Sequence, residues 1–152
     1  SLDAGGIRQV FKQVGTLPSR NAPVLLHGDY WQGNILWRAG KLAAVIDWED
    51  AMLGDPLSDL AISRLDLLWI FSADAMHAFT RSYFALIDVD ETDLPGWDLW
   101  AALRLARLAG SDLPGWAAFF HPYGRRDITE ASIREQYSYF IGQAIKKLGM
   151  AW

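Results

Sequence analysis

A mostly helical α+β domain is the fold class this sequence predicts, on three observations. Apolar residues recur at helical spacing near the start, three short apolar runs suited to strands fall between residues 24 and 47, and helical patterning takes over after residue 54. At 152 residues and 51% apolar, with 21% charged, the chain has the size and composition of one globular domain, residues 1–152, with a core of its own.

The elements follow in order. Ile7, Val10, Phe11 and Val14 share one helical face, so residues 3–15 are expected to form an amphipathic helix ending near Gly15. "TLPSRNAP" reads as a loop. Strands are expected at Val24–His27, Asn34–Trp37 and Leu42–Asp47, the last two joined by "RAGK" with Gly40 where a positive φ is needed. Asp55 before Pro56 is a helix start, an N-cap carboxylate followed by Pro in the first turn, for a helix running to about Phe71. Further helices are expected at 73–87, 97–110 and 128–148, separated by "DVDETDLPG" and "SDLPG".

Composition excludes several function classes. The chain has no cysteine, so disulfides, thiolate zinc sites, iron–sulfur clusters and a Cys nucleophile are ruled out; a reducing, cytoplasmic location is the expectation. The net charge is −4 and the basic pairs Arg125–Arg126 and Lys146–Lys147 are isolated, which argues against a nucleic-acid partner. The longest uncharged stretch, Leu113 to Gly124, is short and carries Pro114 and Pro122, so no membrane span is expected. The eight Trp are expected mainly in the core, with Trp31, Trp97 and Trp100 also suited to a cationic or apolar ligand.

"LLHGDYWQGNILW" poses the functional question, because an apolar strand stops at His27 and Asp29 and resumes only after Asn34. Burying such groups without partners costs several kcal/mol. Asp47 ends "LAAVID", a run with no other polar residue. If the first and third strands are neighbours, Asp29 and Asp47 approach, and two carboxylates repel unless something positive lies between them. With the amide oxygen of Asn34 they form an all-oxygen set suited to Mg²⁺, an ion usually completed by water and substrate phosphate. Taken singly, each of these residues is more simply a turn former, and His27 a core histidine. Together they are not easily explained by turns.

"HGDYWQGN" followed by "VIDWEDAMLGDPLSDLA" resembles the signature of the aminoglycoside phosphotransferase and choline kinase family, which shares the protein kinase fold. Asn34 follows Asp29 by five positions, as in the kinase catalytic loop, and Asp47 follows Asn34 by thirteen. The resemblance is strong over residues 25–61 and implies the C-terminal lobe of a protein kinase-like phosphotransferase. It implies that Asp29 accepts or orients the proton of an acceptor hydroxyl, that Asn34 and Asp47 bind Mg²⁺ and the phosphates of ATP, and that His27 braces the loop. Asp55 or Asp59 would tie the following helix to that loop. Trp48 stands where the family usually has Phe. Glu49 and Asp50 would face either the acceptor or solvent.

Two other motifs fail on inspection. Gly28 and Gly33 have P-loop spacing, but Asn34 and Ile35 stand where Lys and Ser/Thr are required. A metal-dependent phosphoesterase needs more histidines near its site than His77 and His121 supply. The Gly-rich loop and strand lysine of a nucleotide-binding lobe are not seen, since the first lysine, Lys12, falls on a helix. The expectation is therefore a C-terminal lobe alone, with little or no phosphoryl transfer by itself. It carries a partly apolar surface, where the missing lobe would dock, that is open to self-association. A non-catalytic kinase-like binding module is the competing expectation. The acidic residues Glu49, Asp50, Asp88, Asp90, Glu91 and Asp93 would suit a polycationic acceptor.

Overall fold

The computed structural model describes all residues except 1, 3, 16, 18, 19, 110, 111, 151 and 152. The first helix, α1, spans Ala4–Val14 and buries Ile7 and Val10, as its spacing requires. The strands are β1 (Val24–Leu26), β2 (Ile35–Arg38), β3 (Lys41–Val45) and β4 (Met52–Gly54). Five longer helices follow or intervene: α2 (Pro56–Ile70), α3 (Ala73–Leu86), α4 (Leu94–Ala109), α5 (Leu113–Phe119) and α6 (Glu130–Lys147). The mostly helical α+β class stands.

The strand pairing differs from the expected one. β2 and β3 form the antiparallel hairpin, turning at Ala39 (φ 50°) and Gly40 (φ 73°), so Gly40 has the positive φ its place demands. β1 does not pair with β3. It pairs antiparallel with β4, Val24 opposite Gly54 and Leu26 opposite Met52, in a separate two-stranded sheet. β4 is only three residues long and carries no alternation, so nothing local marks it as a strand.

Helix starts obey local capping chemistry. The Asp55 carboxylate accepts the Leu57 N–H at 2.9 Å with Pro56 in the first turn, and Ser72 caps α3 through the Ala75 N–H at 3.1 Å. "Asp-Leu-Pro-Gly-Trp" occurs at 93–97 and again at 112–116, and it begins a helix both times. These stretches read as linkers because Asp, Pro and Gly are turn formers, yet Asp at the cap and Pro in the first turn also start helices. α4 thus begins at Leu94 rather than 97, and α5 occupies part of an expected connector. The C-terminal limit expected at 110 lies outside the described residues.

α2 is the hub of the helical body. Twelve of its fifteen residues are buried, which is the pattern of a helix covered all round. It packs against α3, α4 and α6, while α1 covers α4 and α5 leans on α6. Within the α2–α4 contact Arg64 makes a two-pronged ion pair with Asp98, Nε to Oδ1 and Nη2 to Oδ2 both at 3.0 Å. Both side chains are buried, and Thr80 of α3 accepts from Arg64 Nη1 at 2.6 Å. This cross-tie fixes α2, α3 and α4 together beneath the loops that carry the polar residues.

Candidate active site

The interrupted strand resolves into a braced loop. After β1 the chain turns at Gly28, whose φ is 83° and where a Cβ would lie 2.4 Å from the Asp50 carbonyl oxygen, so only glycine fits. Asp59, one turn into α2, accepts the backbone N–H of His27 at 2.6 Å and that of Gly28 at 3.0 Å. Ser63, a turn further, donates to the Tyr30 carbonyl at 2.7 Å. Of Asp55 and Asp59, it is Asp59 whose carboxylate bonds the loop backbone. Asp55 caps α2 and accepts from Asn21 Nδ2 at 3.2 Å, with its buried Oδ2 finding no partner among the described residues.

His27 links the two β elements. Its Nε2 donates to the Ile46 carbonyl at 2.8 Å, since a carbonyl can only accept. Its Nδ1 is then free to accept the Asp29 N–H at 3.3 Å. The ring is buried, with the Trp48 indole tilted against it at a centroid distance of 4.6 Å. The imidazole is thus held by two backbone bonds, one to the Asp29 loop and one to the residue before Asp47.

Asn34 is buried at the end of a 3-10 turn, Gln32–Asn34, and its Nδ2 donates to the Asp29 carbonyl at 3.0 Å and to Asp29 Oδ2 at 3.4 Å. The Asn34 carbonyl accepts the Ile46 N–H at 3.0 Å. Asp47 follows with φ 67° and ψ 54°, a left-handed backbone that is rare outside glycine and recurs at functional positions. The three expected residues are therefore linked through Ile46 and His27, and the pairing of the first and third strands assumed for their approach is absent. The positive group beside Asp29 is Arg104 of α4, whose Nη2 lies 2.8 Å from Asp29 Oδ1.

The donor chemistry fits a magnesium ion. With its Nδ2 committed to Asp29, Asn34 keeps Oδ1 without a donor among the described residues, and the exposed Asp47 carboxylate is likewise open. Among the described residues no three His, Cys, Asp or Glu side chains gather as a protein-only metal cage. Two oxygen ligands with room for water and phosphate are what Mg²⁺ uses.

A cleft of about 530 Å³ opens beside Asp29. Asp50, Asp66 and Arg104 add to its polar wall, and Trp31, Trp69, Trp116, Phe119 and Phe120 form an aromatic one. Burial pushes the Asp66 carboxyl up to about 7, further raised by the Asp29 charge and opposed by a hydrogen bond from Trp69 and by the Arg104 charge. Arg104, Asp66 and the Trp69–Trp116–Phe120 wall escape the sequence, since they are spread over α2, α4 and α5 with no motif spacing between them. Trp97 and Trp100 pack edge to face with each other at 5.7 Å and do not line the cleft.

The family comparison supplies the class, a kinase-like phosphotransferase family. The chain belongs to the phosphotransferase enzyme family, whose model (APH) matches residues 12–103. Rattus norvegicus acyl-CoA dehydrogenase family member 11 is 30% identical over 121 residues, covering 64% of this chain and 15% of that protein. The Homo sapiens member 11 is 30% identical over 105 residues, covering 59% and 14%, and Mus musculus member 10 is 41% identical over 51 residues, covering 32% and 5%. The chain thus matches only a small part of the length of these relatives. No solved structure matches it. Among the described residues no helix is long and apolar enough to cross a membrane.

Proposed function

We propose that this chain is the C-terminal lobe of an ATP- and Mg²⁺-dependent phosphotransferase that acts on a hydroxyl of a small molecule. One observation carries the proposal: Asp29 and Asn34, five positions apart, are joined by hydrogen bonds, and Ile46 bonds both Asn34 and His27 immediately before Asp47. In such a reaction the acceptor oxygen forms a bond to the γ-phosphorus, the bond to the bridging oxygen of ADP breaks, and the hydroxyl proton goes to Asp29. Mg²⁺, when bound, neutralises charge on the phosphates. Asn34 Oδ1 and the Asp47 carboxylate are the groups that would hold it, and His27 and Asp59 keep the loop in place.

Catalysis in this fold rests on positioning and electrostatics rather than on covalent intermediates. Residues 25–61 carry the acceptor-side carboxylate and the metal ligands but no glycine-rich clamp. The isolated chain is therefore proposed to turn over little, in a cytoplasmic setting, and to associate with itself through its β surface. The test is phosphoryl transfer by the natural protein containing this stretch, across a panel of alcohols. Metal-dependent turnover that falls at least a hundredfold in Asp29→Ala is expected. Turnover indifferent to Asp29→Ala and Asp47→Asn would overturn the proposal, and no turnover with any acceptor would favour a kinase-like binding module instead.

A further inference from the structure

The family match ends at residue 103, so it takes in Trp31 and Trp69 of the cleft but not Arg104, Leu105, Leu108 or the α5 side. The chemistry of the wall is read from its own residues. Trp69 packs edge to face on Phe120 at 5.3 Å and lies 6.3 Å from Trp116, and Phe119 stands edge-on to Phe120 at 5.1 Å, so the rings form one continuous surface. Its volume of about 530 Å³ is within the range of small-molecule sites.

Charge in the cleft is largely spent. Asp29 and Arg104 neutralise each other at 2.8 Å. Asp66 accepts the Trp69 indole N–H at 3.0 Å, and burial pushes its carboxyl up to about 7, so at neutral pH it is only partly charged. Asp50 is the remaining carboxylate, and it is exposed. The other acidic residues that would suit a polycation are elsewhere: Asp93 binds Arg20 at 2.8 Å, and Asp88 and Glu91 border a separate depression at the end of α3. Among the described residues an anion finds no free cation in the cleft lining, and a polycation finds Asp50 as the one unpaired carboxylate.

We propose that the cleft binds the acceptor and that this acceptor is an uncharged alcohol with an apolar, ring-sized body, its hydroxyl at Asp29 and its body against Trp69, Trp116 and Phe119. The proposal rests on the phosphotransferase assignment for the role of Asp29, but the chemistry of the body follows from the wall alone. Aromatic walls reward apolar contact area and shape, with no desolvated charge to satisfy.

The experiment follows the indole N–H resonances of the purified chain, without nucleotide, during titration with 4-phenylbutan-1-ol, choline, glucose and 3-phenyllactate. The expected result is at least tenfold tighter binding of 4-phenylbutan-1-ol than of each comparator, weakened at least fivefold by Trp116→Ala. Phe119→Ala, at a side chain 53% exposed, removes a wall ring with little risk to the fold and is expected to weaken binding at least threefold. Equal or tighter binding of choline, 3-phenyllactate or glucose would overturn the proposal. So would the absence of any titration by 4-phenylbutan-1-ol, or binding untouched by both substitutions. Because no ATP is present, failure here leaves the phosphotransferase assignment intact. Binding of the alcohol without phosphoryl transfer by the natural protein would sink that assignment alone.

Discussion

Asp29 is held from two sides, by Asn34 within its own loop and by Arg104 from a helix seventy-five residues further on. The Arg104–Asp29 pair is partly exposed, so its worth to stability is small, on the order of 0–1 kcal/mol. Its worth to the site is orientation. Arg104→Ala is expected to leave the melting temperature nearly unchanged while lowering kcat of the natural protein at least tenfold, with KM for ATP unmoved; a loss confined to KM for ATP would refute this. Asp66 makes a different prediction. Its carboxyl ionises near 3.8 when unfolded but only at about 7 when folded, so between those pH values the folded chain keeps a proton the unfolded chain has lost. Its contribution to stability is full below about pH 4 and falls as pH rises through about 7, by a few kcal/mol at most, at about 1.4 kcal/mol per unit. Thermal melts at pH 5 and 8 check this: Asp66→Asn is expected to flatten the decline, and an unchanged slope would contradict it. Asp29, Asn34 and Asp47 were legible because their spacing is short and their residue types are out of place in apolar runs. Arg104 and Asp66 were not, because a salt bridge across seventy-five positions and a cleft assembled from separate elements leave no local trace.

Elements were legible where local chemistry decides them. α1, the β2–β3 hairpin, α2 and α6 follow from periodicity, capping and turn residues. β4 escaped because three residues with no alternation become a strand only through pairing with β1, a long-range event. α5 escaped because its cap, Pro and Gly are also the residues of turns. The element that organises the rest is α2, and two substitutions test how. Asp59→Ala removes the acceptor of the His27 and Gly28 N–H groups and is expected to cost about 1–3 kcal/mol, the usual range when buried donors lose a charged acceptor. Hydrogen exchange at those two amides is expected to speed up while α6 stays protected. Arg64→Ala strands Asp98 in the core and is expected to cost about 3–5 kcal/mol in chemical denaturation. Replacing the pair together by Met and Leu is expected to recover most of that loss, and failure to recover would mean that Thr80 and the helix crossing depend on the ion pair itself.

The whole molecule is asymmetric: a dense helical body beneath two small sheets that present apolar side chains outward. Leu25 is 66% exposed, Leu53 73% and Trp37 67%, a surface that tends to find a partner. In isolation the chain is expected to scatter light as larger than a monomer at high concentration, and Leu25→Lys with Leu53→Lys to return it towards monomer. A monomer at every concentration would contradict this. The functional proposal depends on one arrangement, a proposed metal–phosphate site shared by Asp29, Asn34 and Asp47. Mn²⁺ in place of Mg²⁺, added with ATP, reports on it through paramagnetic broadening of nearby resonances. Broadening that strikes Asp29, Asn34 and Asp47 together, spares His121, and disappears in Asp47→Asn is the expected result; broadening centred elsewhere, or indifferent to Asp47, would contradict it.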